Sequence, residues 1–253
     1  MWKRQDTGRT GLLQGRFELL VRNLRFQRAL MVWSRKDKSL MSLLPLFPLP
    51  NVVLFPGALL PLHIFEPRYR AMVADALASD RRIGMVLLRP GFERDYDGRP
   101  PIHAVGCSGV IIHDARLVDG RYNIVLRGLE RFRVISEDHE RAYRRATTTV
   151  IDEPPQDDVT IDAVRSLRFR LADRLGVPLD AAGQEDSAEA EQLAALPDAD
   201  FVHTIAHLLD LEPIEKQALL ECDTLRRRAE ALIELLDMKR LAATMPAGRD
   251  VTH

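Results

Sequence analysis

Residues 43–73 read LLPLFPLPNVVLFPGALLPLHIFEPRYRAMV, an apolar run punctuated by prolines at 45, 48, 50, 56, 61 and 67. Each proline lacks an N–H and fixes φ, so no long helix passes through the run. Each also biases the preceding residue toward extended backbone. The pattern predicts a short strand at Val52–Leu54, a turn at Phe55–Pro56–Gly57 and a second strand at Leu59–Phe65. Gly57 supplies the permissive backbone position that such a turn needs. Pro67 suits the first position of a helix, and Met72, Val73, Ala76 and Leu77 then share one stripe at helical spacing.

Downstream, the pattern stays strand-like. Arg82–Leu88 (RIGMVLL) fits a buried strand, and residues 91–101 (GFERDYDGRPP) form a polar, turn-rich loop. Ala104–Asp114 reads as a strand leading through Ala115–Val118 to the Asp119–Gly120 turn. Arg121–Leu126 alternates polar and apolar, with Tyr122, Ile124 and Leu126 on one face. Arg131–Ile135 and Thr147–Ile151 supply two more strands, and Gly128 marks a bulge or bend between strand segments. Short strands at roughly 10-residue spacing imply a small closed or nearly closed sheet.

At Asp152 the chain changes character. EPPQDD, residues 153–158, reads as a linker, because two prolines and three acids do not continue a strand. Val164–Leu175 is a predicted helix, and residues 181–191 are polar and acidic. Helices follow at Asp200–Leu209 and at Pro213–Leu220. A last one begins beyond Asp223, read as its N-cap, with Leu225, Ala229, Leu232, Ile233 and Leu236 on one face. The expected organisation is a leader over 1–40, a β-rich subdomain over 41–152, a helical subdomain over 153–245 and a frayed tail over 246–253. There is no internal repeat.

The leader stands apart. It carries ten Lys or Arg against Asp6, Glu18 and Asp37, without the compact apolar core and small-residue cleavage site of a secretory signal. It is read as non-native or disordered, with a start of translation at Met41 favoured and Met1 and Met31 left open. The competing reading is a basic amphipathic arm that touches a membrane surface or nucleic acid.

With 46% apolar and 29% charged residues in 253, the chain reads as an ordinary globular protein able to bury a core. A formal net charge of −1 argues against polyanion binding by the whole surface. No apolar run approaches the roughly 18 residues that a membrane helix needs. Cys107 and Cys222 are far apart without a CxxC partner, so reduced, buried thiols in a cytoplasmic protein are expected.

Several blocks resemble the N-terminal, substrate-binding domain of the ATP-dependent Lon protease. They are LPLFPLPNVVLFPG, LPLHIFEPRYRAMV, RIGMVLL, GCSGVIIHDARLVDGRYNIVLRGLERFRV and EPIEKQALLECDTLRRRAEALIELL, together spanning Leu43 to Lys239. The resemblance implies an α+β fold: a PUA-like β pseudo-barrel of about six strands with one or two helices, followed by a C-terminal helical bundle.

The rest of such a protease is not seen. A phosphate cradle needs GxxxxGK followed by Ser or Thr, and neither Lys216 nor Lys239 stands in that setting. Gly106–Cys107–Ser108–Gly109 is one residue too short for a GxSxG nucleophile elbow. His203 and His207 have the i, i+4 spacing of zinc ligands, but Thr204 stands where HExxH requires glutamate, so packing histidines are expected. The sequence is therefore read as non-catalytic, with no cofactor and no metal.

Two functional readings remain. The first is a recognition module for unfolded polypeptide or a protein partner in quality control or proteolysis, with any hydrolysis belonging to a partner. A peptide adding to a sheet edge would meet Phe55, Leu59, Leu60, Leu62 and Phe65, and Met72 on the following helix. Glu66, Arg68 and Tyr69 extend that face, or else form a cap and a solvated first turn. The second is an RNA-binding PUA-like module. Arg116, Arg121, Arg127, Arg131, Arg133, Arg141, Arg144 and Arg145 cluster, but they are interleaved with acids and lack the unopposed basic stripe that phosphate binding needs. The expectation is against nucleic acid and membrane, and the oligomeric state is left open.

Overall fold

A computed structural model describes residues 43–95, 98–155, 157–177 and 193–244. The basic leader, the acidic 181–191 stretch and the C-terminal tail lie outside the described residues. The strands are β1 (Leu44–Leu49), β2 (Leu59–Ile64), β3 (Arg82–Leu87), β4 (Val105–Arg116), β5 (Tyr122–Asp138) and β6 (Arg144–Val150). The helices are α1 (Pro67–Leu77), α2 (Asp158–Leu175), α3 (Asp198–Leu208), α4 (Pro213–Glu221) and α5 (Leu225–Thr244).

The sheet order is β2-β5-β4-β3-β1-β6, and β5 also pairs with β6. Strands β5, β4, β3, β1 and β6 thus close into a ring, which agrees with the expected α+β pseudo-barrel. Closure depends on the length of β5: its first half, Tyr122–Arg127, pairs with β2, and Phe132–Asp138 pairs with β6. Two strands read from sequence are therefore one. Gly128 still marks an irregularity, since the β4–β5 register shifts between Cys107↔Arg131 and Gly109↔Gly128.

The opening strand lies elsewhere than predicted. Val52–Leu54 is irregular chain whose Val53 and Leu54 are buried, while β1 runs through Leu44–Leu49 despite Pro45 and Pro48. Geometry explains the tolerance. Leu49 C=O accepts from Leu88 N–H, so by alternation residues 45, 47 and 49 face β3, and 44, 46 and 48 face β6. Pairing with β3 begins at Leu46 and pairing with β6 ends there. Each proline's missing N–H points where no neighbouring strand asks for it.

Pro67 opens α1 as predicted. Helix α2 starts at Asp158 rather than Val164, because the Asp157 carboxylate accepts from Thr160 N–H at 2.8 Å, a capping contact inside the segment read as linker. It ends at Gly176, whose φ of 66° suits glycine. The cap of α5 is Thr224, whose Oγ1 accepts from Arg227 N–H, rather than Asp223.

One apolar cluster runs from the barrel into the helices, joining Phe55, Ile64 and Leu126 to Val164, Phe201, Leu220 and Leu232. A smaller one gathers Leu46, Val86, Phe132 and Ala146. At their border, Arg131 of β5 is 3% exposed and Arg228 of α5 is wholly buried. Both donate to Glu153 Oε1 at 2.9 Å, while Glu153 Oε2 accepts from Leu225 N–H. Arg131 Nη1 also reaches the Leu220 and Cys222 carbonyls at the end of α4. Buried guanidiniums need such complete pairing. The proline-rich segment thus carries the carboxylate that ties barrel to helices.

Candidate functional site

Strand β2 ends the sheet, and among the described strands it pairs with β5 alone. Ala58 C=O accepts from Gly128 N–H, so alternation turns the backbone groups of Leu60, Leu62 and Ile64 toward β5 and those of Leu59, Pro61 and His63 away. His207 of α3 meets the Leu59 backbone. Pro61 contributes no N–H to the open edge and blunts it. A peptide adding there would gain main-chain bonds chiefly around His63.

Side chains follow the same alternation. Leu59 and Ile64 are buried, Leu60 and Leu62 are half-buried, and Pro61 and His63 are exposed. Just past the strand, Phe65 is 60% exposed, and its ring stacks on His63 with centroids 6.3 Å apart. His63 Nε2 accepts from Arg121 Nη1 at 3.2 Å, which puts the ring proton on Nδ1, and Nδ1–H donates to Asn123 Oδ1 at 2.7 Å. Arg121 is itself held by Asp119 at 2.6 Å. The Arg121 backbone N–H, followed by its guanidinium, keeps the Asp119 carboxyl below its ordinary range. The result is a polar brace that holds an aromatic pair at the surface.

The nine residues named from sequence divide accordingly. Phe55, Leu59, Tyr69 and Met72 belong to the core, with Phe55 and Met72 wholly buried. Leu60, Leu62, Phe65, Glu66 and Arg68 remain at least partly accessible. Glu66 sits at the N-cap of α1 but makes no side-chain capping bond; its carboxylate accepts from Arg68 Nε at 3.0 Å. Pro61 and His63 were missed. Their signal was the two-residue alternation of β2, which puts them on one face with Phe65.

Arg68 lines a second feature, a cleft of about 160 Å³ walled also by Pro48, Tyr69, Arg99, Tyr143 and Arg144. Three arginines are among its lining residues, and no acidic residue is. Arg68 lies over the Tyr69 ring at 4.7 Å. Arg99 crosses to the β5–β6 turn, donating to the Asp138 and Arg141 carbonyls. Tyr143 O–H donates to Asp75 at 2.6 Å; burial and that bond push the phenol up to about 12.

The other sequence candidates are structural. Ser108 is buried in β4 and donates to the Glu130 carbonyl. His203 packs near Phe55, and its Nε2 accepts from Arg228 Nη1 at 2.9 Å. Burial, with Arg228 and Arg131 nearby, drives His203 down to about 3, and burial with Lys216 nearby takes His207 to about 4. Among the described residues, no group of three or more His, Cys, Asp and Glu is placed to hold a metal. Nor is any described helix long and apolar enough to cross a membrane.

The family profile described as the ATP-dependent protease La (LON) substrate-binding domain matches residues 43–238. Lon protease 2 of Myxococcus xanthus is 32% identical over 210 residues, covering 78% of this chain and 24% of that protein. Lon protease of Anaeromyxobacter dehalogenans is 29% identical, covering 79% of this chain and 23% of that protein. The chain thus spans about a quarter of the length of these relatives. Among solved structures, the N-terminal domain of Mycobacterium avium complex Lon protease superposes with a TM-score of 0.58 at 19% identity. It covers 78% of this chain and 98% of that one, a likeness of fold.

Proposed function

The chain belongs to the substrate-binding domain family of the ATP-dependent protease La, Lon, and from that premise we propose that it recognises unfolded polypeptide segments without hydrolysing them itself. The observation that carries the reading is the exposed Phe65–His63 pair at the open edge of β2, braced from β5 and backed by half-buried Leu60 and Leu62. An aromatic ring held at the surface by hydrogen-bonded neighbours costs little ordering entropy when it meets an apolar side chain. Pro61 limits strand addition, so side-chain contacts supply most of the affinity and short apolar segments are the favoured clients.

Only the substrate-binding domain is detected in the comparisons, so proteolysis, where it occurs, is assigned to a partner carrying the ATPase and peptidase chemistry. The RNA reading gains no support from the arginine cluster. Arg121 pairs with Asp119, Arg131 with Glu153, Arg144 with Glu137 and Arg145 with Asp138. Paired arginines release few counterions on meeting phosphate.

The test is equilibrium binding of the full chain to a permanently unfolded protein, such as a reduced, carboxymethylated one, beside a labelled RNA pool. Saturable binding to the unfolded chain alone supports the reading. Binding to RNA that falls steeply with salt, with none to the unfolded chain, sinks it.

A further inference from the structure

We propose that the arginine-lined cleft between β1, the start of α1 and the start of β6 is a carboxylate-binding site that takes an acidic group of the client polypeptide. The occupant rests on the client-binding reading; the chemistry of the cleft does not.

Three observations converge. Arg68, Arg99 and Arg144 come from distant parts of the chain and line one cleft with no carboxylate among the lining residues. Arg144 is 7% exposed, and its Nη1 is buried without a hydrogen-bond partner. A buried guanidinium donor left unmatched is costly, and an oxyanion is the group that satisfies it best. Glu137 neutralises Arg144 only in part: its Oε2 lies 3.4 Å from Nε and makes no hydrogen bond there. Burial pulls the Arg144 pKa down; Glu137 opposes this, while Arg99 and Arg68 add to it, as expected where three like charges crowd.

Size and shape select the ligand. About 160 Å³ accommodates a carboxyl-bearing group but not a folded domain, and the planar guanidinium fork matches the planar carboxylate in bidentate fashion. The wall of Pro48, Tyr69 and Leu88 gives that group an apolar side to pack on. Arg68 lies three residues beyond Phe65 and links the cleft to the exposed aromatic face. One polypeptide segment that lays an apolar side chain on Phe65 thus has an arginine cleft close by for a carboxylate.

The experiment compares two fluorescent apolar peptides on the full chain by anisotropy. One carries an internal Glu and a free C-terminus; the other carries Gln and a carboxamide. Thermal denaturation in acetate and in inorganic phosphate, against chloride at equal ionic strength, runs alongside. The acidic peptide should bind about tenfold more tightly, one charge-assisted bidentate contact's worth. Acetate should raise Tm saturably, and both effects should vanish in Arg99→Gln, whose acetate response is read against its own Tm in chloride because Arg99 also donates to the Asp138 and Arg141 carbonyls. Arg144→Lys, which retains charge without the fork, should lose most of the preference.

Equal binding of the two peptides overturns the proposal, as does a response to phosphate without one to acetate. If neither peptide binds but acetate still stabilises the wild type and not Arg99→Gln, the oxyanion site stands and the client reading falls.

Discussion

Gly57 and Gly128 are joined backbone to backbone. The Gly57 N–H donates to the Gly128 carbonyl at 3.0 Å, and the Gly128 N–H returns to the carbonyl of Ala58 at 2.9 Å. This clasp fixes the proline turn against the middle of β5, where the β4–β5 register shifts. Gly57 has φ of 78°, and a Cβ on Gly128 would overlap the Phe55 carbonyl oxygen. Gly128→Ala should therefore cost about 2–3 kcal/mol through overpacking against backbone. Gly57→Ala should cost about 1–2 kcal/mol through the left-handed φ. Urea titration of the two variants measures both, and Gly128→Ala within 0.5 kcal/mol of wild type, on the usual scale of surface changes, would show that the clasp yields easily.

Glu153 deserves the second variant, because one carboxylate serves Arg131, Arg228 and the first N–H of α5. Glu153→Ala leaves two buried guanidiniums with carbonyl and histidine partners alone. The expected loss is about 3 kcal/mol, with Glu153→Gln intermediate because it keeps an acceptor. Arg227→Ala provides the contrast: that side chain is 56% exposed and pairs with Glu234 at the surface, so its urea midpoint should stay close to that of wild type. Hydrogen exchange should show the first turn of α5 opening in Glu153→Ala while the β3–β4 ladder stays protected.

Much of this arrangement was legible in the sequence, and the misses share a cause. Prolines and alternation located β2, α1 and the strand run, because those signals are local. Pro45 and Pro48 pointed away from a strand at Leu44–Leu49, because a proline's tolerance depends on which neighbour its nitrogen faces, a tertiary fact. EPPQDD looked like a spacer, yet Asp157 caps α2 and Glu153 binds two arginines from elsewhere in the chain. At the candidate site, hydrophobicity nominated Phe55, Leu59 and Met72, but the core had first claim on them. Pro61 and His63, less apolar, hold the exposed positions. The arginine cleft was invisible, since Arg68, Arg99 and Arg144 meet only when the barrel closes.

Acid should weaken the fold in a defined window. Buried His203 and His207 have folded-state pKa values of about 3 and about 4, against about 6.5 for an unfolded histidine. Both are depressed, so below pH 6.5 the unfolded chain binds protons that the native one refuses. Their contribution is complete above pH 6.5 and is lost progressively as pH falls toward 4 and then 3. For the pair, the decline between pH 6.5 and 5 is on the order of 3 kcal/mol. Urea midpoints across pH 5–8 test this, and His207→Gln should shallow the slope. A flat profile above pH 5 would mean that both rings protonate in place.

The proposed binding face makes a prediction that separates contact from packing. Phe65 is exposed and touches His63, so Phe65→Asp should leave Tm within a degree or two while weakening unfolded-client binding about tenfold or more. His63→Ala removes the stacking partner and its bonds to Asn123 and Arg121. It should weaken binding less, because Phe65 itself survives. Met72→Ala should do the opposite: that side chain is wholly buried, so stability falls by about 2–4 kcal/mol with client affinity per folded molecule unchanged. Anisotropy and calorimetry on the same samples distinguish the two behaviours. If Phe65→Asp binds clients as wild type does, the exposed aromatic pair is not the contact, and recognition must be sought on another face.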